Sequence, residues 1–266
     1  MKRILKWKDR FFPWNKLELE IMLKNFFDNV ENFEINNLKW VVAPHAWIIY
    51  SGQVAAYSYE AIRQNLDNIP KTIFILTPDH YIWTNKVLVW NYDALEAIFW
   101  DLQVDKEVIN DLLKYDEIFT DEYLSLEKEH ALETQLIFLS YILKEKINEF
   151  KIVPLIFGQV DILKIYEVLK KYEKNSFFII SSDLSHYNPY EIAIEKDKNT
   201  INAFLSLNLE KIINMADACG IYPWLLFSII AKNNFYKAKL LKYLNSWDTA
   251  WDKSQVVGYA SVAYYF

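Results

Sequence analysis

Apolar residues recur at helical spacing from Lys16 to Phe33. Leu19, Met22, Phe26, Phe27, Val30 and Phe33 share one side and predict an amphipathic helix. The pattern then changes to short, almost wholly apolar runs bounded by proline, glycine or polar residues. Leu38–Ala43 before Pro44, Thr72–Thr77 before Pro78, Lys151–Phe157 before Gly158, and Ser176–Ser181 all read as buried strands, with Lys86–Trp90 a shorter one. Between these runs, helices are predicted over Val54–Leu66, Asp105–Lys114 and Glu129–Leu143, and from the cap Asp161 through Tyr172. Further helices follow at Glu195–Leu207, Leu209–Met215 and Pro223–Lys232. Two last strands, Lys237–Leu244 and Val256–Tyr265, are joined by the polar stretch NSWDTAWDKSQ and read as antiparallel. Apolar strands alternating with helices imply an α/β fold: a central, largely parallel sheet, mixed at its C-terminal strands, with helices on both faces. At 266 residues the chain is long enough to bury about three-quarters of its unfolded surface, so a single domain over residues 1–266 is expected.

Composition narrows the function. The chain has four glycines, no two closer than Gly220 and Gly258, so neither a Walker A loop nor a GxGxxG turn can form, and nucleotides held by those loops are excluded. One cysteine allows no intrachain disulfide, which fits a reducing cytoplasm. The net charge is −6 and the basic residues are scattered, which argues against a nucleic-acid face. The exception is MKRILKWKDR at the N-terminus, which lacks the apolar core of a signal peptide and reads as a solvated arm. No apolar run approaches the roughly 20 residues of a membrane span, so no membrane partner is expected.

The candidate chemistry gathers at strand ends. His45 follows WVVAP, His80 follows IFILTPD and His186 follows FFIISSDLS, so three of the four histidines lie just beyond the C-terminal ends of predicted parallel strands, the edge where such sheets bind ligands. Cys219, in DACG, precedes a predicted helix whose N-terminus would favour a thiolate. Two imidazoles and a thiolate suit iron, zinc or copper and fit magnesium or calcium poorly. Asp183, three residues before His186, is placed either to orient that imidazole as a proton shuttle or to cap a turn. His130 and Glu133 share one helical face that either lines the pocket or faces solvent.

Seven ordered blocks then resemble one family. PHAWIIYSGQVAAYSYEAI is similar to the PHAGYxYSGxxAAxAY signature of the Memo family, also called AmmeMemoRadiSam system protein B. TPDH resembles its GPxHH element, EHALETQLIFL its EHSxExQLPFL helix, IVPLIFG its VPIxxG strand and SSDLSHY its SSDxSHY turn; ACG and VVGYASV match its last two blocks. The resemblance implies a fold like that of class III extradiol dioxygenases, with His45, His80 and Cys219 as metal ligands and Asp183 and His186 beside them as catalytic groups. It implies a transition metal ion, iron or copper favoured and zinc allowed, with a small-molecule or peptide substrate. It also implies radical-SAM and AMMECR-type protein partners. Four positions depart from the pattern: Trp47 and Thr77 replace glycines, Tyr81 replaces a histidine and Ile221 replaces an arginine. Trp47 and Tyr81 are therefore expected to reshape the pocket. Three readings follow: a metal-dependent oxidoreductase, a non-catalytic metal- or peptide-binding partner protein, and a hydrolase with Cys219 as nucleophile, His186 as base and Asp183 as its orienter.

Overall fold

The computed structural model describes residues 1–122, 128–250 and 252–266. Strands and helices alternate along it. The first part gives β1 (Lys2–Arg3), α1 (Lys16–Asp28), β2 (Leu38–Ala43), α2 (Ile48–Gln64) and β3 (Thr72–Pro78). The middle gives β4 (Val87–Val89), β5 (Ala94–Leu95), β6 (Leu102–Val104), α3 (Lys106–Leu112), β7 (Phe119–Thr120), α4 (Ala131–Leu143) and β8 (Lys151–Phe157). The last part gives α5 (Ile162–Leu169), β9 (Ser176–Ser181), α6 (Tyr190–Leu205), α7 (Leu209–Met215), α8 (Ile221–Asn233), β10 (Lys237–Asn245), α9 (Trp247–Ala250) and β11 (Gly258–Tyr265).

The strands form one sheet in the order β1-β5-β6-β8-β3-β9-β2-β11-β10, with β4 laid antiparallel beside β8 and β7 beside β4. Its centre, β6-β8-β3-β9-β2, is parallel, and β11 and β10 add an antiparallel edge. The proline-bounded apolar runs are this centre because only a strand buried on both faces can be apolar throughout. Helices α1, α2 and α4 pack together as one layer, and α5 to α8 as another. The edge strand β10 is half-buried and carries Lys237, Lys239 and Lys242, charges that discourage further strand addition. This is the largely parallel α/β arrangement expected from the sequence. No helix among the described residues is long and apolar enough to cross a membrane.

Three local departures have physical reasons. Helix α2 starts at Ile48, six residues before the predicted Val54, so Ser51 and Gly52 lie inside the helix. The Ser51 hydroxyl donates back to the Ala46 carbonyl at 3.0 Å, and Gly52 lets the Phe26 ring of α1 approach, since a Cβ there would lie 2.4 Å from it. Helix α1 ends at Asp28, short of Val30 and Phe33, which pack on the core from beyond the helix.

The third departure corrects the solvated arm. Arg3 pairs through Nη1 with Glu133 Oε1 at 2.7 Å, both side chains being almost fully buried, and its guanidinium lies 3.8 Å over the Trp90 ring. Glu133 also accepts the backbone N–H groups of Lys6 and Trp7, and Leu5 and Phe12 are buried. A carboxylate buried in the first turn of α4 needs a cation and donors, and the N-terminal segment supplies both.

Candidate metal centre

The chain leaves β2, β3 and β9 at the same sheet edge, and each exit carries a candidate functional side chain. Beyond β2, Pro44 leads directly into His45, which is buried. Its Nδ1 meets Ser181 Oγ at 2.9 Å, and Ser181 in turn accepts Gln135 Nε2 at 2.8 Å. With Nδ1 occupied, Nε2 points to Cys219 Sγ at 3.5 Å. Beyond β3, the His80 backbone N–H and Nδ1 both engage the Glu129 carboxylate, each at 2.9 Å. The His80 ring offers a donor atom within 4.8 Å of Cys219 Sγ.

Cys219 arrives from the other direction, just before α8. Its Sγ accepts the Asp183 backbone N–H at 3.1 Å, and its own N–H donates to the Asp183 carbonyl at 3.3 Å. Gly220 allows this crossing. A Cβ there would lie 2.6 Å from Ser182 Cβ and 2.7 Å from the Ser181 carbonyl oxygen.

The donor atoms of His45, His80 and Cys219 lie within 4.8 Å of one another. A tetrahedral ion with nitrogen at about 2.0 Å and sulfur at about 2.3 Å requires N···S edges of roughly 3.5 Å, and the His45–Cys219 pair already has that spacing. Braced Nδ1 atoms and inward Nε2 atoms are the usual support of ligating imidazoles. The residues therefore fit a borderline-soft ion.

Burial sets the electrostatics. It holds His45 well below the ordinary histidine range, helped by the neighbouring His80 and His130. Burial would also lower His80, but the hydrogen bonds to Cys219 and Glu129 prevail and push it up to about 11. Glu129 is drawn down to about 2: its burial opposes the shift and the His80 partner overcomes it. Burial raises the Cys219 thiol, against the pull of His80, and raises the Asp183 carboxyl. His130 is lowered to about 4, again by burial.

The remaining expected residues fall into two groups. His130 belongs beside the centre: its ring stacks on His80 at 4.6 Å and its Nδ1 meets the Tyr81 hydroxyl at 3.0 Å. His80, Glu129 and His130 form a second group of donors within 4.8 Å. His186 is half-buried near Asp183, whose titration it influences more than any other charge does. Asp183 does not orient it, however. Its Oδ1 accepts the backbone N–H groups of His45 at 2.9 Å and Ala46 at 3.4 Å, and no hydrogen bond joins it to His186 among the described residues. Nor does any join His186 to Cys219 there, so the triad of a cysteine hydrolase is not assembled. Glu133, expected with His130 on a pocket face, instead holds the N-terminal segment. Trp47 is 42% exposed at the start of α2, Thr77 is buried within β3, and Ile221 opens α8.

Sequence reading overlooked Glu129, Ser181 and Gln135, which brace the two histidines. Glu129 alone carried a signal, an acid directly before His130 at the head of an apolar helix. The N-terminal segment also reaches the site: the Phe11 ring lies 4.4 Å from His130, and Trp7 stacks on Tyr81 at 6.1 Å.

Known proteins resemble the chain over most of its length. A family model described as Memo-like protein matches residues 8–263. A MEMO1 family protein of Sulfurisphaera tokodaii is 34% identical over 242 residues, covering 86% of this chain and 83% of that protein. One from Aquifex aeolicus is 34% identical over 267 residues, covering 96% of each. Among solved structures, an uncharacterized protein from Escherichia coli K12 superposes with a TM-score of 0.53 at 12% identity over 85% of this chain and 99% of that one, a likeness of fold alone. With the family model spanning nearly the whole chain and relatives above 30% identity, the chain belongs to the Memo family.

Proposed function

We propose that the protein is a metal-dependent oxidoreductase that holds one transition metal ion, iron or copper in preference to zinc, through His45, His80 and Cys219. The observation that carries this is the convergence of two braced imidazoles and one sulfur within 4.8 Å at the ligand-binding edge of the sheet. Bound there, such an ion supplies Lewis acidity and one-electron exchange. The chain's own groups do the rest. Ser181 and Glu129 fix the two imidazole rings, and the Asp183 carboxylate fixes the backbone that presents His45. Half-buried His186 carries protons between the site and solvent, and the His130–Tyr81 pair holds a proton at the opposite side. Trp7 and Phe11 exclude water above His130.

The test is anaerobic purification with elemental analysis, followed by redox titration of the loaded protein. About one iron or copper per chain, retained through oxidation and reduction, is expected. A protein that takes up only zinc, or that keeps full metal in both His45→Ala and Cys219→Ser, overturns the proposal.

A further inference from the structure

Resting on the metal-centre reading, we infer that a cleft beside His45 and His186 is the site where the substrate's remote end binds, and that this end is a small alkylammonium cation. The cleft has a volume of about 420 Å³ and is lined by Trp47, Tyr50, Tyr187 and Tyr259, with Asp252 and Gln255 at its polar side. Ala46 and Trp47 follow directly on His45, and Tyr187 adjoins His186, so the cleft is lined by the two segments that carry these histidines.

Three features set the chemistry. First, the walls are aromatic faces. Trp47 and Tyr50 stack at 6.0 Å as one wall, and Trp47 stays 42% exposed although glycine occupies this position in the family signature. Aromatic faces carry negative quadrupole potential, which attracts weakly hydrated ammonium groups. Second, among the described residues Asp252 is the one charged lining residue and none is basic, so the cleft favours a cation and disfavours an anion. The same part of the fold already holds an ammonium on rings: Lys253 Nζ lies 4.7 Å over Tyr190 and 4.8 Å over Trp247.

Third, the Tyr187 backbone has φ of 56°, a left-handed conformation unfavourable for a bulky residue, yet its side chain is 68% exposed. That strain serves no core packing. It is imposed by hydrogen bonds on both sides, Leu184 N–H to the Gly258 carbonyl at 2.8 Å and Val256 N–H to the Asn188 carbonyl at 2.9 Å. These tie the His186 segment to β11 and hold the Tyr187 ring at the cleft.

The test compares choline with dimethylbutanol, its neutral carbon isostere, by calorimetric titration of the full chain, with metal content measured on the same samples. Choline should bind about tenfold more tightly than the alcohol. Trp47→Gly should lower choline affinity about tenfold at unchanged metal content, and Asp252→Asn should narrow the choline-to-alcohol ratio two- to fivefold, roughly the effect of an exposed ion pair. Equal affinity for the two probes, or a choline preference that survives in both variants, overturns the inference. The outcomes separate it from the metal proposal: choline preference in a protein that binds no metal leaves the cleft standing and removes the oxidoreductase reading, whereas metal uptake without choline preference removes the cleft alone.

Discussion

The two sides of the candidate metal centre are built differently. On one side, His45 and Cys219 have several independent anchors: Ser181 holds the His45 ring, the Asp183 carboxylate takes the His45 and Ala46 N–H groups, and Cys219 exchanges hydrogen bonds with the Asp183 main chain. On the other, His80 is held by one side chain, Glu129, and screened by His130, Tyr81 and aromatic residues of the N-terminal segment. Strand ends and a helix start make the first side rigid. The second depends on a carboxylate at the head of α4 and on a segment that a buried ion pair ties down. A ligand on the first side should therefore be all-or-none, while the second should respond in graded steps.

The sharpest test of that contrast is metal retention. Cys219→Ser should remove most bound metal, and Gly220→Ala should do nearly the same although it deletes no ligand, because its Cβ meets the Ser181 carbonyl oxygen, a backbone atom. Elemental analysis after dialysis reads both. A Gly220→Ala protein that folds and retains full metal would show that this side is less rigid than described.

Stability comes next. Arg3→Ala leaves Glu133 buried without its cation and should cost about 3–5 kcal/mol in chemical denaturation. Pairing it with Glu133→Leu should recover much of the loss; no recovery would mean that the segment is held by packing instead. Smaller again is Glu129→Gln, which should weaken metal affinity roughly 10- to 100-fold without abolishing it, as loss of a supporting carboxylate does. Competition with a coloured chelator measures this, and an effect as complete as that of Cys219→Ser would erase the difference between the two sides.

The smallest effect is one of pH. Burial keeps His130 at about 4 in the folded chain, whereas the unfolded chain titrates near pH 6.5. A depressed histidine contributes its full share above about pH 6.5, and that share falls as the unfolded chain takes up protons first. Between about pH 7.5 and pH 5 the metal-free protein should lose roughly 2 kcal/mol through His130, with His45 adding loss in the same direction. His130→Gln should flatten the slope by that amount, and an unchanged slope would show that the ring is freely protonated.

Much of the frame was determined by sequence. Alternating apolar runs and helical spacings gave the central parallel strands and most helices, because burial on two faces leaves a periodicity that survives in one dimension. His45 and His80 were legible because a proline-ended apolar run marks a strand exit, and DACG marked Cys219. Tertiary structure alone decided what supports them. Glu129 meets His80 across 49 residues, Ser181 meets His45 across 136, and Glu133 meets Arg3 across 130. A periodic pattern records which face is buried, not which distant partner satisfies a buried polar group. For the same reason SDLSH spacing pointed Asp183 at His186, and MKRILKWKDR looked solvated. In the folded chain a buried carboxylate takes the nearest donors in space, which for Asp183 are the backbone N–H groups of His45 and Ala46, and for Glu133 are Arg3 and the N–H groups of Lys6 and Trp7.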